Sequence, residues 1–167
     1  TQRLRTHWDV ILQEIQSLPE YEDYTYQSSK NGFQAMSYTY LTYHKSENER
    51  KTVVVQHGDV KSFKFFHIPM TGKEDIPERT NRVYVDEQFM NQLQVDGNTG
   101  TVRLTNNDFQ IAGTYKALFK QSNVTRQGNG IGSVFIPSEL KGVCYLKFAH
   151  SAEMKDVHAE VEAICRK

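Results

Sequence analysis

A chain of 167 residues can bury a sizeable core as one domain, or as one domain with a small lobe. Its 20 Lys and Arg balance 20 Asp and Glu, and no basic run exists. That argues against nucleic acid and anionic surfaces as partners, because phosphate neutralisation needs Lys and Arg in excess on one face. No apolar stretch approaches the roughly 20 residues needed to span a bilayer. The chain opens at Thr1 without Met or a signal segment. It reads either as a mature secreted protein or as a segment lying between two transmembrane helices.

Trp8, Ile11, Leu12, Ile15 and Leu18 recur at helical spacing. Thr6 is the expected cap, Asp9 completes a variant capping box, and Pro19 stops the helix. Tyr21–Ser28 reads as a strand running into an Asn31-Gly32 turn. Ala35–His44, rich in Tyr and Thr, and Thr52–Gln56, with three valines, read as a hairpin. Residues 60–70 fit either a short helix or an irregular strand, and 72–80 a charged loop. Val83–Val85 reads as a strand and Asp86–Leu93 as a helix whose first-turn acids suit the helix dipole. Thr101–Leu104 and Phe109–Tyr115 pair across a turn at 105–108. After a polar loop at 119–130, Ile131–Ile136 and Cys144–Phe148 read as strands. Ser151 is the expected cap of a last helix carrying Met154, Val157, Val161, Ile164 and Cys165 on one face.

This order predicts an α+β fold, a mixed sheet with helices on one face. The β-rich middle, residues 31–80, is expected to form a small inserted lobe. The main lobe is then 1–30 with 81–167. The first and last helices are expected to share one core, and a segment lying between two transmembrane helices would also bring Thr1 and Lys167 close together.

Catalytic and metal chemistry find little support. The six histidines are scattered singly, without the spacing of a helical zinc site, and no CxxC exists. Gly130-Ile131-Gly132-Ser133 is not a nucleophile elbow. No Lys-Ser/Thr follows the glycines from Gly128, so a phosphate loop is not expected and a flexible loop is. Asp86 and Glu87 diverge by about 100° on a helix and read as cap residues rather than an acid/base pair. Tyr38 and Tyr40 share one strand face and Tyr43 takes the other. The three suit a partner surface, or simply a Tyr-rich strand. Cys144 and Cys165 fall at nearly the same level of the last strand and last helix, which allows either a disulfide or two buried thiols.

The run Val83-Tyr84-Val85-Asp86-Glu87-Gln88-Phe89, followed by Phe109-Gln110-Ile111-Ala112-Gly113-Thr114-Tyr115-Lys116, resembles a known pairing of motifs. In the extracytoplasmic (periplasmic) core domain of MacB/FtsX-type ABC-transporter permeases, V-x-V-N/D-E-x-F precedes F/Y-x-I-x-G-x-x-K. Ile15-Gln16-Ser17-Leu18-Pro19-Glu20-Tyr21 is similar to the segment leading out of the first membrane span there. Gln94–Asn98 and Ala117 depart from the family pattern. The resemblance implies a non-catalytic domain on the outer side of the inner membrane, held by flanking helices that this chain lacks. A cytoplasmic ATPase that the domain does not contact would drive it, and a periplasmic adaptor or the transported substrate would be its partner. No cofactor, metal or nucleotide is implied. The alternatives from other classes are a free-standing secreted or periplasmic ligand-binding or sensor module and a small Cys or His hydrolase.

Overall fold

The computed structural model describes residues 7–27, 39–46, 49–72, 81–93, 100–116, 130–138 and 142–166. The chain divides into two compact units. One is built from both ends, Thr1–Tyr24 with Tyr145–Lys167, and the other from Thr25–Cys144.

In the unit made of the chain ends, helix α1 (Trp8–Gln16) buries Leu12 and Ile15. Its N-cap is His7, which makes no side-chain capping bond; the expected cap, Thr6, lies outside the described residues. Helix α4 (Met154–Arg166) buries Val157 and half-buries Val161 and Ile164. It begins three residues past the expected cap, Ser151, which lies in a turn. Met154 is 70% exposed, so it does not belong to the buried face. Strands β1 (Tyr21–Gln27) and β8 (Val143–Phe148) run through the boundary between the units. Their outer ends are tied by a Lys147–Glu22 ion pair at 2.7 Å, by Ala149 N–H donating to the Glu20 carbonyl, and by an edge-on Tyr21–Phe148 contact.

The larger unit follows from valine alternation. Strands β2 (Thr39–Ser46) and β3 (Glu49–Gly58) form an antiparallel hairpin. Strand β4 (Arg82–Asp86), the one-turn helix α3 (Glu87–Met90), β5 (Thr101–Leu104), β6 (Asn107–Tyr115) and β7 (Gly130–Pro137) follow. The strand order is β2-β5-β6-β4-β7-β3-β1, with β2 also paired to β3. Strands β2 to β7 therefore close on themselves as a ring. β6 is parallel to β4 and β7 is parallel to β3, while the other ring neighbours are antiparallel. Successive side chains point to opposite faces. One face contributes Val53, Val55, Val83, Val85, Val102, Leu104 and Val134, with Phe89 and Leu93 from α3 and its end. The opposite face carries Tyr84, Tyr115 and Phe135 beneath Phe63 of helix α2 (Lys61–Phe65) and Ile68.

The described strands of residues 31–80 do not stand apart from the rest of the sheet. β3 lies beside β7 from Thr52–Gly130 to Gly58–Pro137, and β2 meets β5. The compact unit that contains them spans Thr25–Cys144. Thr1 and Lys167, the expected neighbours, lie outside the described residues.

Candidate functional site

In the larger unit the buried Ser133 and the Tyr115 hydroxyl gather at Asp86, which is 2% exposed. β4 ends at this residue and α3 begins after it, so the carboxylate lies where the helix exposes its first unsatisfied N–H groups. Oδ1 accepts from the Phe89 N–H at 2.7 Å. Oδ2 accepts from the Ser133 N–H, and from the Ser133 hydroxyl at 2.8 Å. The Tyr115 hydroxyl lies 2.6 Å from Ser133 Oγ. Ser133 has one hydroxyl proton and gives it to Asp86, so Tyr115 donates to Ser133. Burial pushes the Tyr115 phenol far above the usual tyrosine value; the negative charge of Asp86 adds to this and the Ser133 bond partly offsets it.

A serine hydrogen-bonded to a carboxylate raises the question of a nucleophile with its base. Ser133 is 1% exposed and Tyr115 1%, so no substrate reaches the hydroxyl. The cluster joins β4, β6 and β7 and is a structural lock. Asp86 is the N-cap expected from the sequence, and Glu87 beside it points to solvent. Gly132 makes the lock fit. Its φ is +150°, and a Cβ there would lie 2.5 Å from Phe89 Cβ and 2.8 Å from Asp86 Oδ2. The register slips between Thr52–Gly130 and Val53–Gly132, leaving Ile131 as the extra residue of a bulge. The flexible loop expected in this glycine run is, from Gly130 onward, a strand. Glycine inside a strand pattern signals a bulge or a close approach, and that signal marks Gly132.

Tyr43, one of the three tyrosines offered for a partner surface, lies at the edge of the core. It is half-buried, packs on the valine core and meets Phe89 edge-on at 5.5 Å between ring centres. Burial raises its phenol pKa. Tyrosine, with its apolar body and polar tip, serves a core edge as well as a partner surface. The backbone of Tyr40 lies opposite Val54 on β2; its side chain, and all of Tyr38, lie outside the described residues. Cys144 and Cys165, for which the sequence allowed either a disulfide or two buried thiols, are not bonded to each other; Cys144 is half-buried and Cys165 exposed. At 100° per residue Cys165 lies about 80° round the helix from Val157, off the buried face. Among the described residues no group of three His, Cys, Asp or Glu side chains is placed to hold a metal ion. Nor is any helix among them long and apolar enough to cross a membrane.

No protein-family model and no curated protein sequence matches the chain. Solved structures do. The extracellular domain of the ABC-type transporter YknZ from Gram-positive bacteria superposes with a TM-score of 0.61 at 7% identity, over 95% of this chain and 81% of that one. The periplasmic region of MacB from Actinobacillus actinomycetemcomitans gives 0.58 at 14% identity, over 95% and 74%. A domain of a permease protein from Porphyromonas gingivalis gives 0.60 at 14% identity, over 90% and 72%. The fold of this chain is that of the extracytoplasmic domains of MacB/FtsX-type ABC-transporter permeases.

Proposed function

We propose that the chain is a non-catalytic extracytoplasmic domain of an ABC-transporter permease. It sits between two transmembrane helices on the outer side of the inner membrane and moves with them. A separate cytoplasmic ATPase, which the domain does not touch, supplies the work. The domain passes that motion to an exported substrate or to a periplasmic adaptor. The observation that carries this reading is the likeness to the YknZ extracellular domain over 95% of the chain. The sealed Asp86–Ser133–Tyr115 cluster supports a mechanical rather than chemical role, because a domain that transmits motion needs strands that do not slip.

The test is the full coding sequence. Apolar segments of about 20 residues are expected directly before residue 1 and after residue 167. Alkaline phosphatase inserted after residue 167 of the full-length protein should be active, reporting an extracytoplasmic position. Flanks without apolar segments, or an inactive fusion of a stably expressed protein, would refute the proposal.

A further inference from the structure

The ring closes through ladders of unequal length. β3 and β7 pair from Thr52–Gly130 to Gly58–Pro137. β4 meets β7 only at Tyr84–Phe135 and Val85–Val134, and the buried Asp86–Ser133 bonds hold that join. Among the described residues β2 meets β5 at the single pair Tyr43–Leu104. A turn residue holds this second short join. The Thr105 N–H donates to the Thr42 carbonyl at 2.6 Å, and the Thr42 N–H donates to Thr105 Oγ1 at 3.2 Å.

Thr105 carries a backbone φ of 55°. With Asn106 it forms the two-residue turn between Leu104 and Asn107. A positive φ at that place favours glycine, and a β-branched residue there is a genuine outlier. Strain of this kind persists only where the surroundings hold it. Among the described residues, the restraints on Thr105 beyond its own hairpin are the two bonds to Thr42. Thr105 is exposed, so water replaces those bonds when they break. Breaking the β4–β7 join instead would strip the buried Asp86 Oδ2 of both its donors and Ser133 of its carboxylate acceptor, at much greater cost.

We infer that the ring opens and recloses at the β2–β5 seam, with Thr105 as a strained latch. Behind the seam lie Tyr43, Phe89, Val102 and Leu104 of the valine-lined core. Opening exposes that apolar face while the β3–β7, β4–β6 and β4–β7 ladders stay paired. The seam opens independently of the transport role.

Residue-resolved amide hydrogen exchange on the 167-residue chain tests this under native conditions. The Thr42 and Thr105 amides should exchange through a local opening, at least about a hundredfold faster than the Val54 and Val55 amides, which wait for larger unfolding. Thr105→Ala keeps the strain and removes the acceptor for Thr42. It should speed the Thr105 amide about fivefold to tenfold, although that amide's own acceptor, the Thr42 carbonyl, is untouched. Thr105→Asn tolerates positive φ and keeps a side-chain oxygen, so it should slow the same amide. Val54 and Val55 should not respond to either change. Thr42 and Thr105 amides exchanging at the Val54 rate, no response to either substitution, or an equal response throughout β3 and β7 would each overturn the latch.

Discussion

Asp86→Ala removes the acceptor of three donors at once: the Phe89 N–H, the Ser133 N–H and the Ser133 hydroxyl. A hydrogen bond to a charged group contributes about 1.5–3 kcal/mol, and an N-cap alone about 1 kcal/mol. The three share one carboxylate and do not add. Ser133 keeps its bond to Tyr115 and can turn its proton toward it. A net loss of about 3–5 kcal/mol follows, the range for deleting one partner of a buried charged group. That is a large share of the 5–15 kcal/mol by which proteins of this kind are stable. For a chain of this length it corresponds to a Tm lower by roughly 6–20 °C. Asp86→Asn is the informative companion. Its amide oxygen still caps Phe89, but its NH2 faces the Ser133 N–H, donor against donor. About half the loss of the alanine variant is expected. Thermal unfolding followed by circular dichroism, with urea denaturation as a second measure, reads both variants. An Asp86→Ala protein that melts within about 2 °C of the parent would show that the cluster does not hold the ring together.

Gly132→Ala forces a Cβ to 2.5 Å from Phe89 Cβ and should lower stability by about 1–3 kcal/mol; an unchanged urea midpoint contradicts the close approach. Tyr43 and Tyr115 have raised phenol pKa values, chiefly from burial. Above pH about 10 the unfolded chain releases phenolic protons that the folded chain keeps, so stability falls as pH rises beyond that point. Tyr115→Phe should flatten this alkaline loss, and a slope equal to that of the parent would refute the assignment. Cys165 is exposed and should alkylate in the native protein faster than Cys144, whereas neither thiol reacting before reduction would reveal a disulfide.

Which sequence signals were legible follows from their range. Val53–Val55 and Val83–Val85 were legible as strands, because a run of β-branched and aromatic residues is a local signal. The Asp86 cap was equally local. A local signal does not say which strand lies alongside, so the pairing of β3 with β7 was hidden and the β2–β3 hairpin read as a separate lobe. Ser133 was passed over for the same reason: its partners Asp86 and Tyr115 come from other strands. Thr105 gives no turn signal of the Asn-Gly kind, and the reading spread its two-residue turn over 105–108. Cys165 was misplaced by the arithmetic of a helix face, where a neighbour of half-buried Ile164 need not be buried.

The parallel pairing of Thr52 with Gly130 has a consequence for the order in which the chain acquires structure. The β2–β3 hairpin and the β5–β6 hairpin need only near neighbours and can form early. The ring cannot close before β7 arrives, because β7 alone lies between β3 and β4. The unit made of the chain ends waits longer still, since one half of it starts at Tyr145. Contacts between distant parts of a sequence slow folding. A chain emerging N-terminus first therefore holds the valine edge of β3 unpaired until the segment through Pro137 is out. In that interval the Val53-Val54-Val55 run is the stretch most prone to pair with another copy.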